Sequence, residues 1–138
     1  MEINAWEGHW PLNTYANDMD KSKLSTSAVG RLEEAQGMSQ EQYAGLIAER
    51  AKVRAIYEAL SAHVDACMTL SAPGAAPVGL DWTGDPIFTV PTSLLGCPSL
   101  TMPVFEDDGM PLGLQLMGFT DQDADLFATA GSIQSELA

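Results

Sequence analysis

The side chain with the clearest potential for chemistry is Asp85, which lies between a glycine and a proline within an apolar stretch. A carboxylate in apolar surroundings needs either a hydrogen-bond partner or a ligand. Two roles are therefore open for Asp85: it caps the backbone of the turn that follows, or it contacts a substrate. The other candidates for acid–base catalysis, residues 106–108, have the composition of an exposed turn.

Metal binding and thiol chemistry find little support in the sequence. His9 and His63 are far apart, so the two histidines cannot form a ligand pair at three- or four-residue spacing. Cys67 and Cys97 lie within apolar runs, which is typical of reduced thiols in a core. The acids within residues 121–125 alternate as in a calcium loop, but the glycine and final glutamate of such loops are missing. We expect no metal and no cofactor.

Charge is distributed unevenly along the chain. The formal net charge is −13, and all six Lys and Arg residues precede position 55. Because a nucleic-acid backbone attracts clustered cations, we expect no nucleic-acid partner. The acidic second half is either a solvated face or a surface whose basic partners lie on another polypeptide.

Length and composition indicate a single globular domain over residues 1–138, since the chain is 46% hydrophobic. No uninterrupted apolar window is long enough to span a membrane. The first ten residues lack the basic and then apolar order of a signal peptide. A cytoplasmic protein without membrane contact is therefore expected.

Residues 1–64 are predicted to be mainly helical. We leave residues 1–23 largely unassigned, with at most a short helix. Beyond them, apolar residues at helical spacing predict a helix that has Ser25 or Ser27 as its N-cap and ends at Gly37.

A longer helix is predicted from about Gln40 to His63. Ser39 and Gln42 have the spacing of a capping box, and apolar residues continue behind them in steps of three and four. The apolar run at 65–70 is too short for a helix and ends in Pro and Gly, so it predicts a buried strand.

A β-hairpin is predicted from strands at 99–105 and 112–119, with Asp108 and Gly109 at the tip of a loop longer than two residues. Before it, Pro91 and Gly96 are placed to open and close a short helix. After it, Asp121 is predicted to cap the last helix.

These elements predict an α/β fold with a small mixed sheet of about three strands, including the antiparallel hairpin, and three to four helices. Residues 65–138 would hold the strand, a Pro-rich segment, the hairpin and the last helix. The segment 84–103 has four prolines and no basic residue, and it is too apolar for an ordinary loop. It must be buried against something else.

Three strings occur in a characteristic order: DACMTLSAPGAAPVGLDWTGDPIFTVPTSLLGCPSLTMPV, then GMPLGLQLMG, then an acid-led helix. This order resembles the C-terminal part of the amidase signature family, and SQEQYAGLIAERAKVRAIYEAL resembles the helix that precedes it there. In that fold the Pro-rich segment lies between the central mixed sheet and the active-site cleft. The resemblance implies that an N-terminal half, absent here, covers this segment.

Members of that family hydrolyse or transfer amide groups with a Ser nucleophile, a second Ser in a cis peptide and a Lys base. Their serines lie in a Gly-Gly-Ser-Ser-Gly-Gly-Ser stretch of the N-terminal half, which this sequence lacks. Lys21, Lys23 and Lys52 stand in contexts unlike that of the family's Lys. The resemblance therefore implies no catalytic residue in this chain.

For substrate binding, the resemblance implies Thr83, Asp85 and Phe88. The string IFTVP resembles a family segment in which an Asp immediately before Ile-Phe-Thr holds the substrate's amino group. Pro86 occupies that position here, and Asp85 stands one residue earlier, as in many general amidases.

Two functional hypotheses follow. The first is a C-terminal portion of an amide hydrolase, which acts on a small amide only when the N-terminal half of an amidase is supplied. It predicts an exposed apolar surface larger than that of a typical monomer, and hence self-association. The second is a non-catalytic module that uses the same scaffold to bind a partner or to oligomerise.

Overall fold

The structure, a computed structural model, describes residues 2–137. Its contacts divide the chain into two compact units, with the boundary between Lys52 and Val53. The single domain expected from the sequence stays a prediction. The regular elements within the described residues are α1 (Glu2–Asp18), α2 (Thr26–Gln36), α3 (Gln40–Glu58), β1 (Cys67–Leu70), α4 (Val90–Leu95), β2 (Ser99–Asp107), β3 (Met110–Met117) and α5 (Asp123–Leu137).

Helix α1 is longer than the sequence indicated, and Pro11 lies in its interior. A proline there removes one helical hydrogen bond and crowds the preceding turn, so the pattern contains no clear helix signal. Packing within the first unit supports the helix instead. Trp6 stacks on Tyr43 with ring centroids 5.3 Å apart, and the Tyr43 hydroxyl donates to Glu7 Oε1 at 2.9 Å.

Both predicted ends of α2 and the predicted start of α3 are confirmed. Ser25 Oγ accepts a hydrogen bond from the backbone of α2, and Gly37 ends that helix. Ser39 and Gln42 make both bonds of the capping box, at 3.2 and 2.7 Å, where α3 begins. Helix α3 is shorter than expected, because the chain tightens into a 3₁₀ turn at Ala59–Ala62.

The second unit is built on a sheet with the strand order β1-β3-β2. The α/β class, the three strands and the hairpin are confirmed. The expectation of a mixed sheet is wrong for residues 2–137, where both pairings are antiparallel. Strand β1 pairs with the second strand of the hairpin, which runs in the opposite direction, so these residues contain no parallel pair.

The hairpin turn is tighter than expected. Asp107 pairs with Met110, which leaves Asp108 and Gly109 as a two-residue loop. Both loop residues have positive φ, 49° and 73°, as in the type I′ turn that matches the twist of paired strands. The prediction of a longer loop was wrong because both strands continue further toward the tip.

One face of the sheet is covered by α5. Leu116 is fully buried and forms the core of this face with Met102, Leu126 and Ala130. Helix α5 begins at Asp123, so the prediction that Asp121 caps it was wrong. Asp121 has a φ of 60°, whereas an N-cap residue has an extended backbone.

The opposite face of β3 presents Gly113, Gln115 and Met117, because successive side chains of a strand alternate between faces. Met117 packs with Leu95 and Cys97 in a second buried cluster. Within the described residues, no helix combines the length and the apolar character needed to cross a membrane.

Candidate functional site

The connection between β1 and α4, residues 71–89, forms a pocket together with the start of β3. Its lining consists of residues 71–77 and 82–86, with Thr89, Pro111 and Leu112, and its volume is about 550 Å³. Pockets for small ligands measure roughly 300–1,000 Å³ and are mostly apolar with a few polar groups. Proline, alanine and glycine dominate this lining, so the pocket has the size and the chemistry of a small-molecule site.

Hydrogen bonds to the hairpin fix the first wall of the pocket. Ser71 N donates to the Gly113 carbonyl at 2.9 Å, and Gly113 N donates to Ser71 Oγ at 3.1 Å. A side chain at Gly113 would collide with Ser71 and Thr101, so this close approach requires glycine. Further along, Ala75 N donates to Asp107 Oδ2 at 2.7 Å. Asp107 therefore anchors the wall of the pocket.

The second wall carries the residues predicted from the sequence. Thr83 and Asp85 both line the pocket. Asp85 Oδ1 accepts from Ile87 N at 3.0 Å and caps the 3₁₀ turn Pro86–Phe88, one of the two roles foreseen for it. Phe88 lies outside the lining and is half-buried, but its carbonyl belongs to the same turn. The structure thus brings Thr83 and Asp85 into one pocket lining, while Phe88 lies outside it, in the turn that Asp85 caps.

The comparisons with known proteins point in one direction. A scan against protein-family models finds no match. A glutamyl-tRNA(Gln) amidotransferase subunit of Rhodospirillum rubrum is 36% identical over 121 residues, which are 72% of this chain and 24% of that protein. The same subunit of Prosthecochloris aestuarii is 42% identical over 50 residues, 36% of this chain and 10% of that protein.

Solved structures extend this likeness to nearly the whole chain. A crystal structure of an amidase matches with a TM-score of 0.81 and 26% identity, covering 97% of this chain and 33% of that one. The chain belongs to the amidase signature family. A bacterial aryl acylamidase of that family shares the fold, with a TM-score of 0.62 and 19% identity over 91% of this chain and 29% of its own. The match is to the C-terminal part of amidase signature enzymes, and the chain spans about a third of these structures and a quarter or less of the curated relatives described above.

Sequence reasoning missed one residue that lies behind the site in this structure. Gln115 is 3% exposed, and its Nε2 donates to the Phe88 carbonyl at 2.9 Å. The available signal was a single polar residue inside the apolar string LGLQLMG, since a buried amide needs a hydrogen-bond partner. Its partner is a backbone atom that the sequence pattern does not reveal.

The thiols predicted to be buried lie away from the pocket. Cys97 is buried, Cys67 is half-buried, and both are free and contact the cluster around Met117. Burial raises the pKa of the Cys97 thiol above its usual value of 9.0, which disfavours the nucleophilic thiolate. Burial, reinforced by the nearby cysteines, also raises the pKa of the Tyr57 hydroxyl, which lies 3.0 Å from the carbonyls of Met117 and Gly118.

The remaining candidates gain no catalytic partner. Residues 106–108 are exposed around the hairpin turn, and only Asp107 reaches the pocket wall. Residues 2–137 contain no group of three or more His, Cys, Asp or Glu side chains arranged to hold a metal. From Val53 onward the sequence contains no Lys, so the unit that carries the pocket offers no Lys base to a serine.

Proposed function

We propose that this chain is the C-terminal part of an amide hydrolase and forms one side of a substrate cleft that an N-terminal catalytic part completes. The observation that carries the proposal is the 97% coverage of this chain by one third of an amidase, at a TM-score of 0.81. Hydrolysis of a small amide in the cytoplasm is the activity proposed for the completed enzyme. The chain alone is proposed to be inactive.

The exposed apolar side chains within residues 77–90 support this proposal. Val78 and Leu80 are essentially fully exposed, and Trp82 and Ile87 are each more than half exposed. Single exposed apolar residues are common, but several within one short segment are typical of a surface that another polypeptide covers. The N-terminal part of an amidase is the covering polypeptide that we propose.

The lack of a Lys in the unit that carries the pocket supports inactivity in isolation. A serine hydroxyl is a weak nucleophile until a neighbouring base removes its proton. Ser71 lines the pocket, but Ser71 Oγ accepts a hydrogen bond from Gly113 N, and the unit from Val53 onward has no Lys. The nucleophile and the base are therefore proposed to come from the N-terminal part.

Within the completed cleft, we assign substrate contact to Thr83 and Asp85, and a backbone role to Phe88. Asp85 uses Oδ1 to cap the following turn, which orients its carboxylate at the pocket surface. A carboxylate at that surface suits a substrate with an amino group or an amide N–H. Phe88 contributes through its carbonyl, which is fixed from behind by Gln115.

The test is ammonia release from a panel of small amides by the chain, by the N-terminal part of the amidase that it matches, and by their mixture. We expect turnover only in the mixture. Asp85→Asn should raise the KM of the mixture about tenfold or more, as expected when a charged hydrogen bond is lost. Asp81→Asn, which removes an acid outside the pocket lining, is the matched control and should leave KM unchanged.

Turnover by the chain alone would overturn the proposed division of labour. A mixture that forms a complex without turnover would instead favour the second hypothesis, a non-catalytic module. The exposed residues Val78 and Leu80 favour that alternative specifically as a self-associating module, because the same surface could be covered by a second copy. Sedimentation of the chain alone, across a wide concentration range, separates the two: a discrete and stable oligomer favours the self-associating module, whereas weak association that keeps growing with concentration is expected of an uncovered amidase surface.

A further inference from the structure

Gln115 is a buried side chain that connects the hairpin to the turn behind the predicted substrate residues. It is 3% exposed in the centre of β3, opposite Thr69 on β1 and Thr101 on β2. Burial of an amide is costly unless its polar atoms find partners. Gln115 Nε2 donates to the Phe88 carbonyl at 2.9 Å, across 27 residues of sequence.

Three hydrogen bonds in series lead from Gln115 to the pocket. The first is the bond from Gln115 to the Phe88 carbonyl. In the second, Thr89 N donates to the Pro86 carbonyl at 2.9 Å and closes the turn. In the third, Ile87 N donates to Asp85 Oδ1 at 3.0 Å and sets the direction of the carboxylate. A shift of the Phe88 carbonyl would therefore move the pocket wall.

Besides these bonds, the Thr89 hydroxyl donates to the Pro86 carbonyl at 3.1 Å and the Thr92 hydroxyl donates to the Thr89 carbonyl at 2.9 Å, but the turn has little apolar support. Ile87 is more than half exposed, and Asp85, Pro86 and Thr89 are also exposed. An exposed 3₁₀ turn has poor hydrogen-bond geometry and little apolar burial to hold it. The buried amide of Gln115, on the central strand β3, is therefore the group that can hold the turn in place.

We infer that Gln115 is a positioning residue: its side-chain amide holds the 85–89 turn, and with it the carboxylate of Asp85, in the geometry that binds substrate. The three hydrogen bonds support the positioning of the turn by Gln115. The effect of Gln115 on substrate binding rests on the proposed function. Gln115 is not among the residues that line the pocket, and we assign it no part in the chemistry.

The first experiment uses the unmodified chain. Hydrogen exchange of the Gln115 side-chain amide protons is followed by NMR and compared with that of Gln134, an exposed glutamine on α5. We expect the Gln115 protons to exchange at least tenfold more slowly, because they are buried and one is bonded. Equal rates would mean that the bond to Phe88 does not persist, which would overturn the inference without any variant.

The second experiment uses Gln115→Met, which keeps the length of the side chain and removes the donor. Backbone exchange at Ile87 and Thr89 should accelerate about fivefold relative to the amides of Leu114 and Leu116, as expected from the loss of one hydrogen bond. Gln134→Met is the matched control and should change neither set. Equal acceleration of both sets in Gln115→Met would show a general structural role and would overturn the inference.

The third experiment measures KM and kcat in the mixture with the N-terminal part of an amidase. A residue that only positions the substrate wall should raise KM several-fold while kcat changes less than twofold. A fall in kcat with an unchanged KM would overturn the assignment. If the mixture has no activity at all, the proposed function fails, and the two exchange experiments still decide whether Gln115 holds the turn.

Discussion

Two apolar regions of the second unit, the covered side beneath α5 and the exposed side formed by residues 77–90, differ sharply in how completely their side chains are buried. Beneath α5, Leu116 has no exposed surface and Leu126 is 2% exposed. Within residues 77–90, Leu80 is 98% exposed and Trp82 is 61% exposed. Both regions are comparably apolar in sequence, so composition alone does not distinguish them.

This difference separates apolar residues that are buried within the fold and stabilise it from apolar residues that would be buried only in a complex. Burial of a Leu side chain contributes about 1.5–3 kcal/mol relative to its exposed state. Leu116 makes that contribution within the second unit. Leu80 makes it only when another surface covers it, so its contribution belongs to association.

The largest expected effect comes from the covered side. Leu116→Ala should lower the free energy of unfolding by about 2–5 kcal/mol, through lost burial and the cavity left behind. Leu80→Ala, the same change on the exposed side, should stay within about 0.5 kcal/mol. Urea unfolding followed by circular dichroism measures both. Equal losses would mean that the connection is buried in the isolated chain and that the contrast between the two sides is wrong.

A smaller effect is expected from alkaline pH, which acts on ionisable groups of the second buried cluster, on the opposite face of β3 from α5. Burial raises the pKa of Cys97 above 9.0 and that of Tyr57 above 10.0, so the folded state keeps protons that the unfolded chain releases. Deprotonation then favours the unfolded state. The contribution of these two groups to the free energy of unfolding should be fully present below about pH 8.5. Above that pH, the free energy of unfolding should fall by up to about 1.4 kcal/mol per pH unit for each group that titrates.

Two tyrosine variants sharpen this comparison. Tyr57→Phe should remove the part of the pH dependence above about pH 10, although it also loses the hydroxyl contacts with the carbonyls of Met117 and Gly118. Tyr15→Phe changes an exposed hydroxyl and should leave the profile unchanged. Urea unfolding between pH 7 and 11 gives the profiles. A flat profile for the unmodified chain would contradict the burial of these groups.

Local chemistry explains which parts of the fold were predictable. Ser25, Gly37 and the pair Ser39–Gln42 mark helix ends because each satisfies backbone groups within a few residues. The hairpin was predictable for the same reason, and its loop length was misjudged only because polar strand ends resemble turn residues. Helix α1 was missed because its support comes from packing on Tyr43.

The candidate site shows the limit of such reasoning. The capping role of Asp85 was foreseen, since its partner is two residues away. The role of Gln115 was not, because its partner is a backbone carbonyl brought close only by the complete fold. Sequence patterns indicate that a buried polar group needs a partner, and tertiary structure decides which one.

The smallest effect on stability, and the most informative about function, is expected from Leu80→Ser. Because Leu80 is essentially fully exposed, the change should alter the free energy of unfolding by less than about 0.5 kcal/mol. It should nevertheless weaken self-association of the isolated chain, measured by sedimentation velocity, because it removes apolar area from the surface that we expect to be covered. Ser99→Ala, which changes an exposed serine on β2, is a control for the effect of any surface substitution.

Loss of association without loss of stability would mean that the apolar character of the connection serves a partner and contributes nothing to the isolated fold. An unmodified chain that stays monomeric at high concentration would contradict this, since an uncovered apolar surface should then bind itself. In that case a ligand of the pocket that Trp82 lines, and not a covering polypeptide, would explain why residues 77–90 are so apolar.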